Sequence, residues 1–279
     1  MSSIQKSIAA RCQQVGKPLF LSGGVLSNTV QTGELVCNEI ADVTNALFDG
    51  VTGFMLLKAF DINYAIKAVK TLNEICCTVE PLIFKKSQFW RLSTEIKVPV
   101  NNAEAALMSA AMVANIIDAR VIIMPTVSGR TAKALLWLRP SALIITVSTN
   151  PRTTRFLFTY RNIIPLMFTG QPDRHWAKTV HSRAVYALDF AISRGYLIHG
   201  DMYVTLQRSI EGITYCDMVR IFKVTTSGRH MLQCPEEYSF ATKKEDNDDD
   251  EKNHKTIDRN GDTENDTKGK DEGKPKKAS

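Results

Sequence analysis

VIIMPTVSGRTAKALLWLRP, residues Val121 to Pro140, is the stretch on which the fold turns. Its first four residues, Val121 to Met124, are apolar, too few for a helix and rich in β-branched side chains, so they predict a buried strand. Thr126-Val127-Ser128-Gly129-Arg130-Thr131 then turns the chain. Ser128 is the expected N-cap, and Ala132, Leu135 and Leu136 follow at helical spacing. Such a strand, turn and helix start aim free backbone N–H groups and the positive end of the helix dipole at one place. The stretch reads either as a phosphate-binding loop or as an ordinary capped βα turn, because small polar residues favour both.

The same alternation extends outward. On the N-terminal side the pattern predicts a helix over 4–14 and a strand over 19–21, then a turn at Ser22-Gly23-Gly24. A helix over 38–47, a strand over 53–57 and a helix over 62–79 follow. Residues 81–100 read as an irregular connector whose Trp90 packs on a neighbour. Asn101-x-x-Glu104 resembles a capping box and opens an alanine-rich helix over 103–117. On the C-terminal side, a strand over 143–147 precedes Asn150-Pro151, a favoured helix start. Next come a strand over 163–168, interrupted by Pro165, and a helix over 174–194, capped by Asp173 and closed by Gly195. Strands over 202–206 and 217–224 complete the series. Strands alternating with helices mean an α/β fold, with a mostly parallel sheet covered on both faces.

The totals narrow the function classes. The chain has 279 residues and a net charge of +6. Residues 243–279 hold 10 Lys and Arg against 12 Asp and Glu, so the preceding residues carry +8. That mild, dispersed basicity suits phosphorylated metabolites better than nucleic acid. The six cysteines form no C-x-x-C pair, and no metal-ligand spacing stands out. No apolar run is long enough for a membrane span, and a cytoplasmic protein is expected. The tail over 243–279 has one Ile and no aromatic residue, too little apolar area to offset ordering, and is expected to be disordered. His175, His181 and His199 show no triad partner, and Ser22 lacks the G-x-S-x-G pattern.

An ordered series of short motifs resembles the C-terminal half of pyruvate kinase. Gln5-Lys6, Arg11-Cys12 and Gly16-Lys17-Pro18 open it, followed by Glu39, Asp42-Val43, Asn45-Ala46, Asp49-Gly50 and Met55-Leu56. Ser128-Gly129-Arg130-Thr131-Ala132, Arg139-Pro140, Asn150-Pro151 and Tyr160-Arg161 continue it, and Trp176, Arg183, Arg194-Gly195 and Gly200-Asp201 close it. The likeness runs from Ile4 to Val224.

The resemblance implies a partial (β/α)8 barrel segment over 1–80, a linker over 81–100 and a pyruvate-kinase-type α/β domain over 101–224. A short extension over 225–242 and the charged tail would follow. The family, a glycolytic one, transfers the phosphoryl group of phosphoenolpyruvate to ADP, using magnesium and potassium. Its catalytic lysine, phosphate-binding arginine and metal carboxylates come from barrel segments that precede the part matched here. The position of its active-site threonine falls on Gly23, and its turn after the eighth strand falls on Leu57 to Asp61. No catalytic residue, metal ligand or cofactor is therefore assigned in this chain, and phosphoryl transfer by it alone is not expected. Two βα units cannot close a barrel, so the first third either packs on another subunit or belongs to a truncated copy of an active enzyme.

The resemblance also implies a sugar-bisphosphate effector site. Thr126, Ser128, Gly129, Arg130 and Thr131 would cradle one phosphate, and Trp176 and Arg183 would hold the second. The lysine of the family's responsive forms falls on Val127, and the closing loop, Arg208 to Thr214, keeps one glycine. From its position on the apolar stripe, Trp176 also reads as a core residue. The expected function is a pseudoenzyme or regulatory partner that forms homo- or hetero-oligomers with pyruvate-kinase-like chains. A sugar-bisphosphate-binding module is the alternative. Neither membrane nor nucleic acid is an expected partner.

Overall fold

The computed structural model describes residues 2–83, 85–94, 96 and 98–225. The expected charged tail and nearly all of the 225–242 extension lie outside them. The described chain contains helices α1 (Ser2–Gln14), α2 (Ser27–Thr32), α3 (Cys37–Phe48), α4 (Ile62–Val79), α5 (Lys85–Thr94), α6 (Asn102–Ile116), α7 (Arg130–Trp137), α8 (Pro151–Leu157) and α9 (Trp176–Ser193). Its strands are β1 (Phe20–Ser22), β2 (Gly53–Met55), β3 (Val121–Pro125), β4 (Leu143–Ser148), β5 (Ile163–Met167), β6 (Met202–Gln207) and β7 (Met218–Lys223).

The larger sheet has the order β5-β4-β3-β6-β7. Its neighbours are parallel except for the final β6–β7 pair, as expected. Successive side chains of a strand point to opposite faces, and both faces are covered here. Ile122, Met124, Ile144, Val204 and Leu206 pack with Leu107, Ala110 and Ala114 of α6 on one face. Val121, Ile123, Ile145, Val147 and Tyr203 pack with Ala184, Ala187 and Ala191 of α9 on the other. The small residues of α6 and α9 let the helices lie close on the β-branched strands. Pro165 fits because β5 is an edge strand, bonded to β4 alone.

The first third has a parallel two-stranded sheet, β1 with β2, in the register Phe20 to Gly53. Its core gathers Leu26, Val30, Val43, Leu47, Ala68 and Ile75 beneath the helices. Helix α2 was not expected from the sequence. It is held by the buried Glu39 carboxylate, which accepts from the Asn28 amide at 2.6 Å and the Thr29 hydroxyl at 2.7 Å. A side chain 11 residues further on anchors the segment, so local pattern alone carried no signal for it.

The structure corrects three local expectations. Residues 81–100 are not irregular: a 3-10 turn (Glu80–Leu82) leads into α5. One apolar side chain, Phe89, is buried at 1% exposure in the core that α6 also lines, while Trp90 is half exposed against its ring edge. A helix with one anchor shows almost no periodicity, which is why the pattern hid it. Ser128 does not cap α7: Gly129 is the N-cap residue, left-handed at φ 74°. Asp173 stands two residues before the cap of α9, which is His175, whose amide it binds at 3.0 Å. The Asn101–Glu104 capping box forms as expected, at 2.9 and 3.2 Å, and Asn150 caps α8 through the Arg152 amide at 2.9 Å.

Candidate functional site

In the larger sheet the chain runs from β3 to β4 to β5 on one side, then crosses back to place β6 on the other side of β3. Connections therefore diverge between the carboxyl ends of β3 and β6, and such a switch point opens a crevice in parallel α/β sheets. Thr126 to Arg130 leaves β3 there, and Arg208 directly follows β6.

The cradle is shaped by three constraints. The Gly129 amide donates to the Thr126 hydroxyl at 3.1 Å, closing the turn. The Thr153 hydroxyl donates to the Val127 carbonyl at 3.0 Å, tying the turn to α8. A Cβ at Gly129 would lie 3.1 Å from Leu157, in a conformation that side chains rarely adopt. The amides of the first turn of α7 have no partner inside the helix, and they sit at its positive end. Ser128 and Arg130 are exposed, with Arg130 Nε donating to Ser128 Oγ at 3.4 Å.

The two halves of the expected site are joined through residues that sequence reading did not assign to it. Thr131 and Arg208 both act on the buried Cys216 thiol. Burial pushes that thiol up to about 11, with Thr131 and Arg208 opposing the shift and Asp217 adding to it. The Arg208 guanidinium stacks over the Trp176 ring at 5.5 Å and donates to the Ile213 carbonyl at 2.9 Å. Arg208 also repels Arg183, whose guanidinium is held below its ordinary value first by burial and then by that repulsion. Arg183 Nε is buried without a hydrogen-bond partner among the described residues. Asp217 is engaged by Ser209, through its amide at 2.7 Å and its hydroxyl.

Trp176 is thus half-buried at the start of α9 and stacked on a cation; the buried residues of that helix are Thr179, Val180, Ala184, Ala187 and Ala191. Arg208 was legible only as part of an altered loop. Its signal was its place, one residue after the strand that flanks the switch point. Cys216 gave no signal as a lone cysteine. A desolvated guanidinium beside a second one is an arrangement that an anion would stabilise.

The class is a mostly parallel α/β domain, with a pair of arginines next to the strand that flanks the switch point of its sheet. Residues 104–222 match the family model described as pyruvate kinase, alpha/beta domain. The chain is 28% identical over 220 residues to pyruvate kinase 2 of Candida glabrata, covering 78% of this chain and 43% of that protein. It is 28% identical over 219 residues to the pyruvate kinase of Candida albicans, covering 78% and 44%. It is 30% identical over 224 residues to the pyruvate kinase of Hypocrea jecorina, covering 78% and 42%. The chain is a diverged relative of the C-terminal half of pyruvate kinase, and it spans less than half the length of these relatives.

Proposed function

We propose that this chain is a pseudoenzyme that acts as a regulatory partner of pyruvate-kinase-like chains in the cytoplasm. The observation that carries this reading is the apolar surface of the first third. Phe60 is 85% exposed and Ile62 72%, and Met55 and Val69 are more than half exposed, beside a sheet of two strands. Apolar side chains in such number beside open strand edges favour a protein partner. The chemistry argues the same way. Gly23 and Leu57 to Asp61 stand at the matched active-site positions without the expected hydroxyls. Phosphoryl transfer is almost entirely positioning and charge stabilisation, so it suffers from such losses. The purified chain is expected to form no pyruvate from phosphoenolpyruvate and ADP, and to co-purify with a full-length pyruvate kinase. Pyruvate formation by the chain alone removes this reading.

A second reading, favoured by the Arg183–Arg208–Trp176 arrangement, is that the crevice holds a sugar bisphosphate as effector. Thr126, Ser128, Gly129, Arg130 and Thr131 would bind one phosphate, chiefly through backbone amides and hydroxyls, since Val127 brings no charge. Arg183, Arg208 and Trp176 would bind the other. Calorimetry with a hexose bisphosphate tests this. Saturable binding that Arg183→Gln and Arg208→Gln each weaken roughly tenfold is expected, the scale of a charge-assisted contact. No heat at millimolar ligand rules it out.

A further inference from the structure

A second cation-rich site lies away from the crevice, where the first third meets the α/β region. The two are tied by the Trp137 indole N–H, which donates to the Gln14 carbonyl at 2.9 Å, and by Arg161 with Glu80 at 3.1 Å. Between them is a cavity of about 280 Å³, close to the lower end for small-molecule sites. Its lining combines Lys17, Arg139 and Arg161 with one carboxylate, Glu80, and with the aromatic rings of Trp137 and Tyr160. Glu80 is already engaged by Arg161. Arg139, half-buried, donates to a neutral acceptor, Gln88 Oε1, at 3.0 Å. Among the described residues, neither Arg139 nor Lys17 is ion-paired with a carboxylate.

Arg139 is also held in an unusual way. It follows α7 with φ 50°, the left-handed region that costs a non-glycine residue about 1–2 kcal/mol. Its charge is disfavoured first by burial and then by Arg161 and Arg91. A strained, desolvated guanidinium at a cavity wall, repelled by a neighbouring one, is a condition that a bound anion relieves. Guanidinium forks suit phosphate oxygens, and the aromatic lining suits a flat apolar body. We propose that this inter-region cavity binds a phosphomonoester with an aromatic body, its phosphate on Arg139 and Lys17 and its ring between Trp137 and Tyr160.

Cys12 lines the same cavity and is half-buried, whereas Cys37 and Cys77 are exposed and do not line it. Alkylation of the full chain, read cysteine by cysteine by mass spectrometry, therefore reports occupancy. Phenyl phosphate at millimolar concentration is expected to slow Cys12 alkylation several-fold and to leave Cys37 and Cys77 unchanged. Inorganic phosphate should protect more weakly, and phenol not at all. Arg139→Gln is expected to raise the protecting concentration roughly tenfold, and Arg183→Gln, in the sheet crevice, to leave it unchanged. If Arg139→Gln does not unfold cooperatively, Lys17→Gln carries the test, because Lys17 is exposed; a rise of roughly threefold is expected. Absence of protection in the unaltered chain overturns the proposal. So does protection that Lys17→Gln and a folded Arg139→Gln leave intact, or that Arg183→Gln alone abolishes.

Discussion

Two regions of this molecule are built from the same βα repeat and end in different states. In the α/β region the central strands have neighbours on both sides and helices on both faces, and Ile122, Ile123, Ile144 and Ile145 are fully buried. In the first third two strands pair with each other alone, and Phe20, Met55 and Phe60 are half or more exposed. Burial of apolar area is roughly 25 cal/mol per Å² wherever it occurs, so the difference lies in the number of neighbours rather than in residue type. A repeat completes its core only when the sheet provides a second strand and a covering helix. The first region has these within the chain; in the second, apolar side chains such as Met55 and Phe60 are exposed.

The largest effect is expected at the sheet centre. Ile145→Ala should lower unfolding stability by about 2–5 kcal/mol, read by chemical denaturation, because the packed surroundings cannot collapse into the cavity. A loss below about 1 kcal/mol would mean that the sheet is no better packed than the first third.

A smaller effect is expected from alkali. The Cys216 thiol is raised from 9.0 to about 11 in the folded chain. A raised value means that the protonated form is favoured by folding, so this contribution is complete below pH 9.0 and is lost as pH rises through about 11. Stability should fall by roughly 2 kcal/mol over that window, and Cys216→Ser should flatten the fall. An unchanged alkaline slope in the variant would detach Cys216 from the core.

Asn101→Ala should cost about 1 kcal/mol by removing one half of the capping box of α6, seen as a lower melting temperature. The smallest effect on the isolated chain is expected at Phe60, 85% exposed. Phe60→Asp should change stability by less than about 0.5 kcal/mol while weakening co-purification with pyruvate kinase. A large loss of stability from this substitution would show that the surface is already used within the chain.

Much of the fold was legible because it was periodic. The helix over 62–79 was expected with the bounds it has, and α6, β3, β4 and α8 followed from a capping box, β-branched runs and an Asn-Pro start. What escaped had its cause far away in the chain. Helix α2 rests on Glu39, and α5 rests on the burial of Phe89 in the core of the α/β region. At the candidate site, Thr126 to Thr131, Trp176 and Arg183 could be named in advance, but Arg208 and Cys216, which link them, could not. Ser128 was expected to cap α7 from its hydroxyl, whereas Gly129 takes that place: the backbone there is left-handed, and a Cβ would lie 3.1 Å from the Leu157 side chain.

The sequence by itself determined the alternation of strands and helices, the mostly parallel sheet and the position of the turn after β3. These depend on side-chain periodicity and turn chemistry, which act over a few residues. Only the tertiary structure decided that β6 returns to the far side of β3. That return brings Arg208 over Trp176 and sets it against Arg183. It also decided that Arg139 and Lys17 line one cavity while Arg161 is engaged by Glu80. The physical reason is the same in both places: the field at a charge is set by which groups lie within a few ångströms in space, and strand order, not spacing along the chain, chooses them.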